Sequence, residues 1–297
     1  MIEVKDVVKT FDGYRALDGL NINVPRGCVY GLVGSNGAGK TTIIRHLTGA
    51  FRQDSGEILI DGQPVYENVP LKSRMAYIPD DIYYFAQAGI RDMMKYYRGI
   101  YPTFDMGRYN SLRDVFRLDE RCPMRRLSKG MQKQAAFWLA ISMKPEILIL
   151  DEPVDGLDPV MRRQIWSLIL SDVEENGTTV LISSHNLREL EDVCDHVGII
   201  HKGKAILERS LSELQGDTAK IQIVYGEGRS LPEDIRVLHR SQTGKIQTII
   251  AKGNPADLSL LLEASGPIFY DIVPLSLEEI FIYELGGADY DVKNIIL

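Results

Sequence analysis

One octapeptide, lodged between an apolar run and a helical stretch, constrains this chain more than any other feature. Gly34-Ser35-Asn36-Gly37-Ala38-Gly39-Lys40-Thr41 satisfies the pattern GxxxxGK[ST]. It follows Val29-Tyr30-Gly31-Leu32-Val33, which reads as a buried strand, and opens a helical stretch from Thr41 to Leu47. In a strand, loop and helix unit of this kind, glycines let backbone N–H groups turn inward around phosphate oxygens, and the helix start adds partial positive charge. Lys40 then reaches the β and γ phosphates, and Thr41 offers a hydroxyl to Mg²⁺. Ser35, Asn36, Gly37, Ala38, Gly39, Lys40, Thr41 and Thr42 are therefore the candidate nucleotide contacts. A glycine turn capping an ordinary helix is the bland alternative, and the loop alone implies only a nucleoside triphosphate.

The rest of the chain supplies the context that such a loop needs. Residues 2 to 24 alternate apolar and polar around Asp12-Gly13 and Asp18-Gly19, which predicts antiparallel strands joined by turns. Asp54-Ser55-Gly56 and Asp61-Gly62 bracket a short strand, Glu57 to Ile60. Between about Asp81 and Met143 the spacing becomes mostly helical, an insertion placed at about 81–145. From Ile147 onward apolar runs (147–150, 179–182, 197–200) alternate with helices around 161–175 and 187–193, implying βαβ units and a parallel sheet. Near Gly216 the character changes: strand-like pieces at Ile221 to Tyr225 and Ile246 to Ile250, a turn at Gly253-Asn254-Pro255, and a closing helix from Ser276 to Glu284. The expected domains are 1–215 and a small α+β appendix, 216–297.

Two further clusters should converge on the loop. Ile147 to Leu150 reads as a central strand, so Asp151 and Glu152 emerge at its carboxyl end, where ligands bind in parallel sheets. Asp151 suits a Mg²⁺ shell, while Glu152 faces a water in line with the γ phosphate. His185 follows Val180-Leu181-Ile182-Ser183-Ser184 and opens onto the same edge. For an arbitrary Asp-Glu pair or lone His, a solvated loop or a structural role is the default. Three independent strand ends delivering a lysine, a carboxylate pair and an imidazole point instead to phosphoryl transfer.

Composition narrows the remaining classes. At 44% hydrophobic and 25% charged over 297 residues, the chain has ample material for a sizeable core. No window approaches about eighteen uninterrupted apolar residues, and the amino terminus carries no secretory pattern, so a cytosolic chain is expected. The net charge of -7 disfavours a nucleic-acid surface, and no nucleic-acid partner is expected. Cys28, Cys122 and Cys194 are widely spaced, without a CxxC pair, and read as small core or surface residues.

With these residues on the page, the chain resembles the nucleotide-binding subunits of ABC transporters over about 1–210. Leu127-Ser128-Lys129-Gly130-Met131-Gln132 resembles the family signature LSGGQ, Val154-Asp155-Gly156-Leu157-Asp158-Pro159 the D-loop, and Ser184-His185 the switch. The implied fold class is α/β: a P-loop NTPase cassette with an antiparallel β layer and a helical insertion. The resemblance implies ATP and Mg²⁺ as cofactors, with Thr41, Asp80 and Asp151 on the metal and Lys40, Glu152 and His185 as the catalytic set. Phe11 matches the position of the aromatic that stacks on adenine, with Tyr14 as runner-up and core packing as the alternative for either. The family closes as a head-to-tail dimer, so Ser128 and Gly130 are expected to contact the γ phosphate held by Lys40 of a second cassette, homodimeric or a close paralogue.

Two departures stand out. Asp80 occupies the place of the Q-loop glutamine, and its carboxylate, doubled by Asp81, is expected to weaken ATP binding or demand more Mg²⁺. Lys129 and Met131 replace the usual Gly and Gln, a variant resembling exporter ATPases of the ABC-2 type; Lys129 either faces the partner's nucleotide or is a solvated helix start. Tyr83, Tyr84, Phe85, Tyr96, Tyr97 and Tyr101 are read mostly as helical core, with a subset exposed beside Asp80 as a permease groove. The leading reading is an ATP-hydrolysing subunit that drives export through a separate membrane permease, held peripherally at the inner face of the cell membrane. A soluble ABC ATPase acting on nucleic acid or ribosomes is the alternative, and a small-molecule kinase would leave Ser128 to Gln132 unexplained.

Overall fold

The computed structural model describes residues 1–216, 218–226, 229–273 and 275–279, and the chain divides into two compact units, the first being Met1–Glu208 and the second beginning at Arg209. The first unit opens with β1 (Ile2–Phe11) and β2 (Tyr14–Val24), an antiparallel pair turning at Asp12-Gly13. The second predicted turn is not there. At Asp18-Gly19 the strand continues, and the register steps from Val7↔Leu20 to Val8↔Asp18, so Gly19 is the extra residue of a β-bulge. After β3 (Val29–Val33) and α1 (Lys40–Leu47), β4 (Ser55–Ile60) and β5 (Gln63–Pro64) complete an antiparallel sheet in the order β2-β1-β4-β5.

A second sheet carries the site. Short helix α2 (Val69–Lys72) leads to β6 (Met75–Ile78), and the helical insertion then comprises α3 (Ile90–Ile100), α4 (Met106–Phe116) and α5 (Lys129–Ser142). There follow β7 (Ile147–Asp151), α6 (Pro159–Asn176), β8 (Thr179–Ser184), the four-residue α7 (Arg188–Glu191), β9 (His196–His201) and β10 (Lys204–Ser210). The sheet order is β10-β9-β3-β8-β7-β6, with β9, β3, β8, β7 and β6 running parallel. Every residue of β3, β7 and β8 is buried, which explains why these strands read as continuous apolar runs rather than alternating ones.

The apolar face of α1 (Ile43, Ile44, Leu47) shares one core with Val4 and Ile22 of the antiparallel layer and with Leu32 and Ile149 of the parallel sheet. That shared core fixes the amino end of α1 relative to the strand ends. In the helical insertion Trp138 stacks on Tyr109 at 4.7 Å between ring centroids, and its indole N–H donates to the Tyr109 carbonyl at 2.8 Å. Packing of this kind is costly to truncate, about 3–5 kcal/mol for a buried tryptophan.

The second unit holds α8 (Leu211–Gly216), β11 (Thr218–Val224), β12 (Arg236–Thr243), β13 (Ile246–Lys252), α9 (Pro255–Ser265) and β14 (Phe269–Val273), its strands antiparallel in the order β12-β13-β11-β14. Its core is aliphatic: Ile221, Ile223, Ile249, Leu258 and Leu262. The predicted turn at Gly253-Asn254-Pro255 is in fact a helix start, because the Asn254 side chain accepts from Ala256 N–H at 2.8 Å and Pro255 takes the first helical position. Residues 280–284 of the expected closing helix lie outside the described residues. Among the described residues, no helix is long and apolar enough to cross a membrane.

Candidate functional site

Sheet register brings the predicted residues to one edge. Val33 of β3 pairs with Ser184 of β8, and Asp151 of β7 pairs with Ser183, so three adjacent strands end together. The loop 34–39 leaves β3, Asp151 and Glu152 leave β7, and His185 leaves β8. Gly39 caps α1 with φ 114, and a side chain there would meet the Ala16 carbonyl at 2.9 Å, so only glycine fits. It contributes no capping side chain, and the first N–H groups of α1 stay available to an anion.

Lys40 is 6% exposed, and its Nζ donates to the Gly34 carbonyl at 2.6 Å. A buried ammonium needs a counter-charge. Glu152 Oε1 supplies it at 3.3 Å, while Oε2 of the same carboxylate accepts from the His185 backbone N–H at 3.3 Å and lies 2.9 Å from Nδ1 of its ring. Lys40, Glu152 and His185 thus form one connected chain. Glu152 achieves this from a left-handed backbone, φ 46, unusual for a residue with a side chain. Its N–H donates to Ser183 Oγ at 3.1 Å.

A cavity of about 430 Å³ opens over this chain, lined by Phe11, Tyr14, Ser35, Asn36, Gly37, Gly39, Lys40, Thr41, Thr42, Asp80 and Glu152. Ala38 of the predicted contacts is 3% exposed and packs inward instead. Phe11 and Tyr14 both border the cavity, 38% and 61% exposed, with Phe11 backed by Phe51 at 5.5 Å. The ring with a supporting neighbour is the better platform for a base.

The expected metal set consists of oxygen donors, the chemistry that Mg²⁺ prefers. Thr41 and Asp80 border the cavity. Asp151 is 2% exposed behind them, and its Oδ1 accepts from Ser183 Oγ at 2.5 Å, leaving the second carboxylate oxygen to act. Tyr77, one strand over, has its phenol pushed up to about 12, first by burial and then by the Asp151 charge. Glu152, Asp155 and His185 also bring ligand atoms within 4.8 Å of one another, and the Glu152–His185 hydrogen bond accounts for that pair.

Two expectations change here. The charge of Asp80 does not stand alone: Lys133 Nζ donates to its Oδ1 at 3.1 Å, so the added carboxylate has an internal partner. The aromatics between 83 and 101 are not mostly core. Tyr83, Phe85 and Tyr96 are 72%, 41% and 46% exposed, forming a ladder with the half-buried Tyr97 and Tyr101 at centroid spacings of 4.9 to 6.0 Å. A second cavity, about 400 Å³, lies along it, bordered by Tyr77, Pro79, Tyr83, Tyr97, Tyr101 and Met143.

Ser128 and Gly130 do not border the nucleotide cavity. Ser128 caps α5, its Oγ accepting from Met131 N–H at 3.2 Å. A Cβ on Gly130 would meet the Gly156 carbonyl at 2.5 Å, so the start of α5 lies directly against the 154–159 loop. Sequence reasoning missed Ser183 and Lys133. A hydroxyl closing an otherwise apolar strand was a signal for the first; a lysine amid the buried positions of α5 was the signal for the second.

Comparison with known proteins adds context to this geometry. The family described as ABC transporter matches residues 17–155. The ABC transporter ATP-binding protein YtrB of Bacillus subtilis (strain 168) is 30% identical over 290 residues, covering 97% of this chain and 99% of that protein. The bacitracin transport ATP-binding protein BcrA of Bacillus licheniformis is 31% identical over 306 residues, covering 97% and 98%. A solved ATP-binding subunit of an ABC transporter superposes with a TM-score of 0.67 at 26% identity, covering 72% of this chain and 92% of that one.

Proposed function

The chain belongs to the ATP-binding proteins of ABC transporters, ATPases that drive transport, and from that premise we propose how it works. It is the ATP-hydrolysing subunit of an exporter, working through a separate membrane permease that holds it at the inner face of the membrane. A relative named as the Nod factor export ATP-binding protein I of Cupriavidus metallidurans, 29% identical over 298 residues, supports the direction of export.

The observation that carries the reading is the Lys40–Glu152–His185 chain at the mouth of the cavity. Glu152 pairs with the buried Lys40. Phosphate oxygens arriving over the 34–39 loop replace it, since they bring more negative charge to the same ammonium. Glu152 is thereby freed to orient water and take its proton, with His185 Nδ1 holding the other carboxylate oxygen. Thr41, Asp80 and Asp151 would hold Mg²⁺, which supplies charge neutralisation on the phosphates when bound. Phe11 stacks on the base.

Because Ser128 and Gly130 lie apart from this cavity, a second cassette's α5 start is the natural source of further anion contacts, so the working unit is a dimer with ATP in its interface. The exposed ladder Tyr83–Phe85–Tyr96 and the cavity beside it form the docking surface for the permease. Glu152→Gln retained on native membranes with ATP should trap the closed dimer together with a membrane-spanning partner. Recovery of only ribosomes or nucleic acid in that pull-down would overturn the transporter reading. Replacing Tyr83, Phe85 and Tyr96 together by serine should abolish permease co-purification while sparing ATP binding; retention of the permease would refute this surface.

A further inference from the structure

Lys133 lies on the second turn of α5, five residues after the Ser128 cap, and is 4% exposed. An ammonium that deep requires partners. It has two, and both belong to the nucleotide site: Nζ donates to the main-chain carbonyl of Glu152 at 2.6 Å and to Asp80 Oδ1 at 3.1 Å. Asp80 keeps 57% of its side chain exposed, so the pair is anchored at the lysine end and open to the cavity at the carboxylate end.

The carbonyl contact matters because of the backbone it grips. Glu152 sits at φ 46, a conformation that persists only when its surroundings determine it from several sides. Ser183 accepts from the Glu152 N–H at 3.1 Å, and Lys133 takes the carbonyl at the other end of the residue. Held at both ends, the residue aims its carboxylate at Lys40 and His185.

We propose that Lys133 is a positioning residue for ATP hydrolysis, one that holds the Glu152 peptide in place and cancels the Asp80 charge beside the nucleotide. The proposal rests on the reading of Glu152 as the hydrolytic carboxylate. Its two halves separate cleanly. Lys133→Met removes both the charge and the carbonyl contact; Asp80→Asn with Lys133→Met restores neutrality but leaves the carbonyl without its donor.

The test uses the full-length chain and two readouts: equilibrium binding of a fluorescent ATP analogue with EDTA and no Mg²⁺, and steady-state hydrolysis of Mg-ATP. Lys133→Met should weaken Mg²⁺-free binding about 3- to 10-fold, through the unmasked Asp80, and lower kcat about 10- to 100-fold. The double variant should bind within about twofold of wild type while its kcat stays about 10-fold below that of Asp80→Asn alone, the reference that carries the same loss of a metal-facing carboxylate. With both side chains neutral, it carries the test even where the single variant folds poorly. A double variant that still binds weakly overturns the charge role, and one that turns over as fast as Asp80→Asn alone overturns the positioning role. Failure of the wild-type chain to bind or hydrolyse ATP would instead sink the parent reading. A wild type that turns over alongside an indifferent Lys133→Met sinks this one alone.

Discussion

The two units of the chain bury their interiors in opposite ways. In the first, Lys40, His46, Lys133, Ser142, Asp151, Asp172, Thr178, Thr179, Ser183 and Ser184 are all buried beside the aliphatic residues; in the second, Thr218 is the buried polar residue among those described. Buried polar groups cost stability unless partnered, so a fold tolerates them where they do work. Four of the ten, Lys40, Lys133, Asp151 and Ser183, meet at or behind one cavity. The second unit follows the rule for a scaffold: an aliphatic core under an antiparallel sheet, with β12 exposed along its whole length.

Perturbing each interior should therefore have different consequences. The largest effect is expected from Lys40→Ala, which removes the only cation buried within the 34–41 loop and should lower ATP affinity by at least about 100-fold in equilibrium binding. In the second unit, Leu262→Ala should cost about 2–4 kcal/mol in urea unfolding while ATP turnover by the isolated cassette sites stays intact. Parallel loss of turnover would break the division into scaffold and site. Ser183→Ala leaves the buried Asp151 Oδ1 without its donor, and should cost about 1–3 kcal/mol together with a fall in hydrolysis rate.

The smallest effect concerns pH. Burial holds the His46 imidazole below its ordinary 6.5, with Nδ1 at 2.7 Å from the Thr42 carbonyl. The unfolded chain then protonates His46 more readily than the folded one does, so stability is fullest above 6.5 and declines as pH falls toward the lower folded value. Between about pH 7.5 and 5.5 the melting temperature should drop by a few degrees more in wild type than in His46→Gln. Equal drops would show that this buried imidazole is not discriminated between the two states. His201, also held low by burial and by Lys202, is common to both proteins and cancels in the comparison.

How much could be read beforehand follows the same contrast. The loop 34–41, the buried strands around it and the convergence of Lys40, Glu152 and His185 were legible, because continuous apolar runs ending in polar residues leave few topologies. Asp18-Gly19 was misread as a turn because the same dipeptide suits a bulge, and only the partner strand decides between them. β12 escaped because a strand exposed on both faces carries no alternation, and α9 because Asn254-Pro255 serves a turn and a helix start equally well. Lys133 was missed for a subtler reason: its place among the apolar positions of α5 hints at burial but not at what it meets. A lysine on a helix reads as solvated by default, and nothing local announces that its partners lie 53 and 19 residues away in sequence.

The left-handed backbone of Glu152 has a consequence for how this protein can evolve. At that position glycine is the residue the backbone itself prefers, and the side chain is maintained against that preference. Selection for thermal robustness alone would drift residue 152 toward glycine and, on the catalytic role proposed for Glu152, silence the ATPase on the way. The retained glutamate marks a place where activity and robustness pull in opposite directions, and a designer seeking a hardier version of this protein should leave it untouched.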